Sequence, residues 1–387
     1  MKDEKLIKVK ILASPHQQFD EILEFPPKKV RYEIDRVKTE YHGWFTEKKI
    51  QVHNLLLSFL PIPRMTHTKT NADIVHSTRG IIQLFQNKPW ILDCESGGVF
   101  TSFNYNALNN PLTKKIIQKA LLSKNCKKIL PQSEAAREDL EYVLGKKFYN
   151  KIKNKVEVLY LAMRPCKEKK IKRKDKKVVL SYVGLNSIYG KGGHDLLKAY
   201  EILTKKYKNL ELKYKGDLPE KYLNFAKKLI GFKLVKGFLP RDKFMKEMYL
   251  GSDIFVLPTH QDNYGVVYLD AMSAGLPLVG TTSFTVPELI RDGKNGFLIE
   301  TPYSWENYRR KDGKIGLNDK KYEKNTERVH PEIVKQLVEK LSILIENKKL
   351  REKMGKENRK MVEDRDGKFS IERRNKQLKR IYEEALK

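Results

Sequence analysis

The sequence contains little of what marks secreted, membrane-spanning or metal-binding proteins. Its 387 residues include three cysteines, Cys94, Cys126 and Cys166, which have neither zinc-ligand spacing nor a C-x-x-C pair. An odd number of cysteines argues against a disulfide framework and favours a reduced, cytoplasmic compartment. The longest apolar run, LLLSFLPIP at residues 55–63, is far shorter than a membrane span and is broken by proline.

Acidic residues are few relative to basic ones. Lys and Arg total 78 against 48 Asp and Glu, which gives a formal net charge of +30. This excess predicts attraction to polyanions: nucleic acid, an anionic membrane surface or phosphorylated substrates. The sequence has no RNA- or DNA-binding motif, and its basic residues are dispersed. We therefore expect no specific nucleic-acid partner, and a nucleic-acid-binding protein stays the alternative from a different functional class.

The run DNYGVVYLDAMSAGLPLVG, residues 262–280, combines two carboxylates with a strand, helix and strand pattern. A β-rich run, DIFVLP, precedes it. Gly265 stands where a helix begins and Gly275 where it would stop, a length of about three turns. Strands joined by a helical crossover are parallel, and ligands bind beyond the carboxyl ends of parallel strands. Asp262 and Gly265 are therefore expected at a ligand-binding edge.

The residues at this edge suit a phosphorylated ligand. A helix that starts near Gly265 points the backbone N–H groups of Val266 and Val267 at the ligand, together with the positive end of its dipole. Asp262 in the preceding loop either caps this helix or binds the ligand. Asp270 lies inside an apolar helix, where a buried charge needs a partner, and we predict that it binds the ligand.

Acid, seven residues, acid, followed by Ala-Met-x-Ala-Gly-x-Pro, resembles the E-x7-E motif of the retaining nucleotide-sugar glycosyltransferases with the GT-B fold (glycosyl transferases group 1, family 4). Three further segments, residues 178–203, 234–260 and 286–299, follow in the order of that family. The resemblance implies two Rossmann-like α/β domains with parallel sheets that face each other across a cleft. It also implies a C-terminal helix that crosses back to the N-terminal domain.

A strongly basic stretch, RPCKEKKIKRKDKK, separates two series of alternating strands and helices. We place the domain boundaries accordingly. The expected parts are an acceptor-side domain at residues 1–165, a linker at 166–177, a nucleotide-sugar donor domain at 178–365 and the returning helix at 366–387.

The resemblance also implies roles for three charged residues. Asp270, in the place of the second acid, would accept hydrogen bonds from the ribose hydroxyls. Asp262, in the place of the first acid, would contact the donor sugar. Lys191 precedes Gly192 at an expected helix start and would grip the diphosphate and stabilise its charge as it leaves. Its alternative interpretation is an ordinary surface lysine.

The remaining site predictions are donor contacts from Tyr264, Gly265 and Val266, and a catalytic contact from Glu95. Glu95 follows the strand PWILD at the place where many family members carry a histidine, and its alternative role is structural capping. This sequence departs from the family at Leu185, where an arginine is usual, and both motif acids are Asp where Glu is usual. One expected diphosphate-binding cation is therefore missing.

These observations predict a cytoplasmic enzyme, either free or peripheral at the inner face of the cell membrane. It would move a sugar from a nucleotide diphosphate sugar to a glycan or lipid-linked hydroxyl acceptor with retention of configuration. No cofactor is expected, and no metal, because Lys191 and a helix terminus would stabilise the leaving diphosphate. Asp364-Arg365-Asp366 imitates a metal-binding D-x-D motif but follows a helix, so we interpret it as a solvated helix end. The alternative within this fold is an epimerase or hydrolase that acts on nucleotide sugars.

Overall fold

The computed structural model describes residues 6–12, 17–34, 61–171, 173–185, 187–303 and 319–387. They form two compact units. The first contains the described residues of Met1–Ala162 and of Ile371–Lys387, and the second contains those of Met163–Tyr308 and of Asn318–Ser370. Each unit has its own parallel sheet with helices packed on it, so the expected α/β class with two parallel-sheet domains is confirmed.

The described part of the first unit is built on a parallel sheet with the strand order β2-β1-β4-β6-β7, beside a short β3-β5 pair. Its strands are β1 (Ile7–Ile11), β2 (Val30–Ile34), β3 (Met65–Thr66), β4 (Ile74–Ser77), β5 (Ile82–Gln83), β6 (Trp90–Cys94) and β7 (Cys126–Pro131). Its helices before the linker are α1 (Gln17–Glu24), α2 (Tyr105–Asn109), α3 (Pro111–Leu122), α4 (Glu134–Leu144) and α5 (Lys146–Ile152).

Local sequence explains where these helices start. Asn110 accepts hydrogen bonds from the first turn of α3, and Pro111 holds the first helical position, where its missing N–H costs nothing. Ser133 caps α4 by accepting from the backbone N–H of Ala136 at 3.0 Å, as the sequence predicts. Every residue of β4 and β6 is buried, as expected for parallel strands covered on both faces.

The described part of the second unit has a parallel sheet with the order β10-β9-β8-β11-β12-β13. Its strands are β8 (Val178–Gly184), β9 (Leu210–Gly216), β10 (Phe232–Leu234), β11 (Ile254–Leu257), β12 (Leu278–Thr281) and β13 (Gly296–Ile299). Its helices are α6 (Gly193–Lys206), α7 (Glu220–Ala226), α8 (Arg241–Phe244) with a π-helical continuation (Met245–Leu250), α9 (Val266–Ser273), α10 (Val286–Leu289), α11 (Asp319–Thr326), α12 (Pro331–Glu346) and α13 (Lys348–Glu363).

The sheet of the second unit changes its direction of growth between β8 and β11. From β8 the chain adds β9 and β10 on one side, and then returns to add β11, β12 and β13 on the other. The loops that follow β8 and β11 therefore leave neighbouring strands in opposite directions and open a crevice at the carboxyl edge. This is the switch point at which ligands bind in open parallel sheets.

The unit formed by β11, α9 and β12 confirms the predicted strand, helix and strand arrangement. Its two strands are parallel, with Phe255 opposite Leu278. The helix begins after Gly265 but spans eight residues, so the expected length of three turns is wrong. It ends early because Gly275 takes a backbone conformation with φ of +72°, which turns the chain into β12.

The last helix, α14 (Ile371–Ala385), belongs to the first unit, so the predicted return of the C-terminal helix is confirmed. Its Tyr382 is fully buried and lies with its hydroxyl 2.7 Å from Nδ1 of His76. Its Arg374 donates hydrogen bonds to the backbone carbonyls of Glu21 and Phe25 at 3.0 and 2.8 Å. These contacts attach the end of the chain to α1 and β4.

The basic segment at residues 166–177 contacts the second unit. The N–H of Ile171 donates to the carbonyl of Leu250 at 3.0 Å, and Arg173 pairs with Asp253. Lys170 lies 3.5 Å from the same carboxylate. Part of the basic charge of this segment is therefore neutralised by one aspartate.

In the part of the chain that the structure describes, no helix combines the length and the apolar character that crossing a membrane requires. Most of the longest apolar run of the sequence, residues 55–60, lies outside the described residues.

Candidate functional site

The two loops at the switch point of the second unit are joined by hydrogen bonds. The carbonyl of Gly190, in the loop after β8, accepts from the backbone N–H groups of His260 and Gln261 at 2.9 and 3.0 Å. It also accepts from the hydroxyl of Thr259 at 3.1 Å. Both loops therefore hold a defined conformation at the carboxyl edge of the sheet.

Lys191 and Asp262, which the sequence places in these two loops, are in contact. The ammonium nitrogen of Lys191 lies 2.8 Å from Oδ2 of Asp262 and donates to the carbonyl of Gln261 at 3.0 Å. The two side chains keep 21% and 16% of their surface exposed, so an incoming ligand can reach both charges. The structure thus brings together one predicted cation and one predicted acid.

Two glycines permit this approach. Gly192 has a φ of +64°, and a Cβ atom there would collide with the carbonyl oxygen of Pro258 at the end of β11. Gly265 has a φ of +79°, and a Cβ atom would lie 2.7 Å from the ring of Tyr268. Both positions therefore require glycine, and each starts a helix at the crevice.

Asp262 is not the cap of α9. The N-cap residue is Gly265, and no described side chain makes the capping hydrogen bond there. The Asp262 carboxylate instead pairs with the Lys191 ammonium group, beside the start of α9.

The predicted contacts around the helix start lie on one short segment. Tyr264 and Gly265 are buried, Val266 is half-buried, and the carbonyl of Asn263 accepts from the hydroxyl of Thr285 at 2.8 Å. The positive end of α9 therefore lies next to the Lys191 and Asp262 pair, as an anion site would require.

Asp270 has a partner that the sequence does not reveal. It is fully buried in α9 and accepts from Arg241 with 2.6 Å between Nη2 and Oδ1, while the arginine side chain keeps 29% of its surface exposed. A buried carboxylate needs such a cation. Leu185, the residue found in place of the usual arginine, is half exposed, and residue 186 lies outside the described residues. Arg241 thus places a guanidinium group next to Asp270 in α9, in a chain that has Leu185 where an arginine is usual.

Glu95 belongs to the first unit, directly after β6. It is 9% exposed and lies 3.4 Å from Nη2 of Arg79. Burial raises the pKa of the Glu95 carboxyl, and the charge of Arg79 offsets only part of this effect. The charged side chain that Glu95 contacts is that of Arg79.

A further cluster in the second unit has no counterpart in the sequence analysis. It consists of His194, Asp195, His260 and His330, which are all buried. Burial opposes the ionisation of Asp195, but hydrogen bonds from His260 and His330 outweigh it and hold the pKa of this carboxyl below its usual value. Burial also lowers the pKa of His260, which Asp195 partly offsets. Sequence reasoning missed the cluster because its members come from three distant segments.

The D-x-D sequence at residues 364–366 forms an exposed turn after α13, which confirms its interpretation as a solvated helix end.

Comparison with known proteins places this site in a family. The sequence profile described as "Glycosyl transferases group 1" matches residues 164–329, which is less than half of the chain and includes Lys191, Asp262 and Asp270. This match confirms the predicted resemblance to that family.

Curated members of the glycosyltransferases match over parts of their length. An uncharacterized glycosyltransferase of Haemophilus influenzae is 34% identical over 134 residues, which is 34% of this chain and 37% of that protein. CapM of Staphylococcus aureus, a capsular polysaccharide biosynthesis glycosyltransferase, is 26% identical over 273 residues, 69% of this chain and 61% of CapM. This chain therefore spans less than two thirds of the length of these relatives.

Solved structures show the fold over nearly the whole chain. HepE of Anabaena, crystallised in complex with UDP-glucose, matches with a TM-score of 0.58 at 12% identity, and the match covers 97% of this chain and 98% of HepE. The chain thus has the GT-B fold, as the sequence predicts.

Proposed function

We propose that this protein is a glycosyltransferase that moves a sugar from a nucleotide diphosphate sugar to a hydroxyl acceptor with retention of configuration. The observation that carries the proposal is the Lys191 and Asp262 pair at the switch point of the sheet, 2.8 Å apart and next to the start of α9. An ammonium, a helix N-terminus and a carboxylate in one crevice match a ligand with a diphosphate at one end and sugar hydroxyls at the other.

The diphosphate would bind between Lys191 and the first turn of α9. In this arrangement the ammonium exchanges part of its interaction with Asp262 for the phosphate oxygens, while the N–H groups of Gly265 and Val266 approach them from the other side. When the bond to the sugar breaks, negative charge develops on the phosphate, and these fixed donors stabilise it most at that moment. No divalent metal is needed for this role.

Asp262 and Asp270 would bind the two hydroxyl-rich ends of the donor. Asp262, released from part of its contact with Lys191, accepts from hydroxyls of the donor sugar, and Tyr264 lies beside it along the chain. Asp270 accepts from the ribose hydroxyls, because a carboxylate has acceptor sites for several hydrogen bonds beyond the one with Arg241. Arg241 adds a half-exposed positive charge, which supports binding of the anionic donor in a chain that carries Leu185 in the usual arginine position.

The acceptor side is proposed with Glu95 as a contact to a sugar hydroxyl. Retention follows the family resemblance, in which the departing phosphate helps to remove the acceptor proton, so that no enzymic nucleophile is required. CapM acts in capsular polysaccharide biosynthesis. We therefore propose a glycan or lipid-linked acceptor, in the synthesis of a glycan, a glycolipid or a cell-surface polysaccharide.

The positive charge would bring the enzyme to an anionic surface in the cytoplasm, at the inner face of the membrane. Exposed lysines of the linker, among them Lys167, Lys169 and Lys174, would contribute about 1 kcal/mol each near an anionic leaflet. Reversing these three to Glu should weaken binding to vesicles that contain an anionic lipid and reduce its salt dependence. Lys205 on α6 and Lys227 and Lys228 directly after α7 are also exposed. Reversing these three changes the net charge equally and should have less effect. If both triple variants lost vesicle binding equally, the protein would bind anionic surfaces through its overall positive charge and not through the linker segment.

Thermal-shift measurements with a panel of uridine and guanosine diphosphate sugars test the function, because a selective ligand raises the melting temperature by linkage. The ligand that does so is then incubated with a soluble acceptor analogue, and the anomeric configuration of the product is read by NMR. Transfer with retention, unchanged by brief treatment with EDTA, is the expected result.

Three outcomes would contradict the proposal. Conversion of the donor without an acceptor would favour an epimerase or hydrolase. Salt-dependent binding to RNA without binding to any nucleotide sugar would favour a nucleic-acid-binding protein. Loss of activity in EDTA that manganese or magnesium restores would contradict metal independence.

A further inference from the structure

Three imidazoles and one carboxylate meet inside the second unit, behind the loops of the donor site. His194 and Asp195 lie in the first turn of α6, His260 follows β11, and His330 directly precedes α12. Three of them are fully buried, and His330 is 5% exposed. Such a concentration of titratable side chains in an interior needs a physical explanation.

The geometry is that of a small coordination site. Each residue offers one ligand atom, and these four atoms all lie within 4.8 Å of one another. Oδ2 of Asp195 is 2.9 Å from Nε2 of His260 and 3.1 Å from Nδ1 of His330. Four ligands at zinc bonding distance in a tetrahedral site would lie about 3.4 Å apart. Both observed distances are within about 0.5 Å of that value.

Hydrogen bonds alone do not satisfy the cluster. They account for the contacts of Asp195 with His260 and His330, but 3.7 Å is too long for one to His194. Nδ1 of His194 and Nδ1 of His260 are buried without a hydrogen-bond partner among the described residues. A buried polar atom without a partner is costly, and a metal ion at Nδ1 of His194 would use the lone pair of that nitrogen.

The surroundings resemble the outer contacts of a metal site. Nε2 of His330 lies 3.0 Å from the carbonyl of Asn325 and contacts the hydroxyl of Tyr303. Nε2 of His194 lies 2.9 Å from the carbonyl of Arg328. The backbone N–H of His330 donates to Oδ1 of Asp195 at 2.8 Å, which leaves Oδ2 directed at the imidazoles. Contacts of this kind orient histidine and carboxylate ligands.

We propose that His194, Asp195, His260 and His330 bind one divalent transition-metal ion, with Zn²⁺ as the expected occupant. Three nitrogens and one carboxylate oxygen suit zinc, and four protein ligands leave no open position, so the site would be structural. An imidazole binds a metal through a lone pair, so a neutral ring that now donates to Asp195 would carry its proton on its other nitrogen in the metal-bound state.

Such an ion would hold the donor site in shape without taking part in the transfer. His194 is three residues after Lys191, and His260 is two residues before Asp262. A metal that joins these positions to the start of α12 would fix both loops of the crevice. The site itself does not depend on the proposed transferase activity, since it can be tested by metal content alone.

The experiment uses the full chain without a histidine tag. Its metal content is measured by mass spectrometry, and the metal-depleted chain is then titrated with ZnCl₂ and CoCl₂ while the melting temperature and the visible absorption are recorded. We expect about one equivalent of bound metal, a rise of the melting temperature with Zn²⁺, and the absorption bands of tetrahedral Co²⁺. His260→Ala and His330→Gln should abolish all three, and His67→Ala, an exposed histidine of the first unit, should change none.

Several results would overturn the proposal. A wild-type chain that contains no metal and whose melting temperature does not respond to Zn²⁺ or Co²⁺ would show that the cluster is a network of hydrogen bonds only. Equal metal binding by the wild type and the His260→Ala variant would place the metal elsewhere. If either variant fails to fold, the Co²⁺ spectrum and stoichiometry of the wild type still decide. A failed donor screen with a positive metal result would contradict the proposed function and leave this inference intact.

Discussion

The accessibility of the titratable residues at the strand ends differs between the two units. In the second unit, the loops after β8 and β11 present Lys191 and Asp262 to solvent and keep them partly exposed. In the first unit, the strand ends β4 and β6 carry His76 and Glu95, which are buried and already bonded to Tyr382 and Arg79. A ligand can therefore reach the charges at the strand ends of the second unit, whereas His76 and Glu95 are enclosed with their partners.

This difference also explains why a motif identifies one unit and not the other. The crevice of the second unit requires glycine at Gly192 and Gly265, because both have positive φ angles and tight neighbours. Such requirements leave a readable pattern in the sequence. In the first unit, a buried charge such as that of Glu95 is neutralised by Arg79, which lies 16 residues away in the sequence. Pairs of this kind follow no fixed spacing and leave no motif.

The largest effect is expected at Lys191, which tests whether the accessible pair serves catalysis. Lys191→Ala removes one charge that stabilises the leaving diphosphate, so turnover should fall about 10²-fold or more. Turnover is measured with the donor found by thermal shift. The exposed Lys228→Ala in the same unit is the matched control and should keep its activity. A Lys191→Ala enzyme with nearly normal turnover would make this lysine an ordinary surface residue.

A smaller effect is expected at Asp270, the one predicted site acid that is fully buried. Asp270→Ala should weaken nucleotide binding by about 1.5 to 3 kcal/mol, the range for hydrogen bonds to a charged group, or roughly tenfold to 150-fold in Kd. Calorimetric titration with the nucleoside diphosphate measures this, with the exposed Asp242→Ala as control.

A double variant of Arg241 and Asp270 distinguishes between two roles of Asp270, ribose binding and neutralisation of the arginine. If Asp270 binds the ribose, Asp270→Ala should still weaken binding in an Arg241→Ala background. If the double variant binds as Arg241→Ala alone does, Asp270 serves only to neutralise the arginine, and its assignment to the ribose is wrong.

The smallest effect is expected at Glu95, where the first unit makes its contribution. Glu95→Gln should raise the KM for the acceptor by up to about tenfold, which is the net value of one hydrogen bond. It should also stabilise the protein at neutral pH. The folded state raises the pKa of Glu95, so it holds this proton more tightly than the unfolded chain, and stability falls as pH rises through the folded pKa. Glutamine resembles the protonated acid and lacks this loss.

Thermal unfolding from pH 4 to pH 8 checks the second effect. The difference in melting temperature between Glu95→Gln and the wild type should grow as pH rises. Glu138→Gln, which changes an exposed acid of the same unit, should show no such difference. An unchanged KM together with the predicted stability gap would make Glu95 a structural residue.

The sequence predicts the fold class, the strand, helix and strand unit around Gly265 and the terminal helix in the first unit. These follow from local patterns of apolar residues and glycine, or from the motif of the family. It does not predict the pair of Arg241 and Asp270, because nothing in the segment around Arg241 indicates that this side chain turns toward α9. It also cannot predict the cluster of His194, Asp195, His260 and His330, because folding alone brings three distant segments together.

The most direct test of the account is a crystal structure of the protein with UDP, the nucleotide found with HepE, or with GDP if the thermal-shift panel selects it. We predict phosphate oxygens within about 3 Å of Nζ of Lys191 and of the backbone nitrogen of Val266, with the ribose at Asp270. A nucleotide bound elsewhere, with the Lys191 and Asp262 pair intact and the start of α9 unoccupied, would contradict the central claim that this crevice is the donor site.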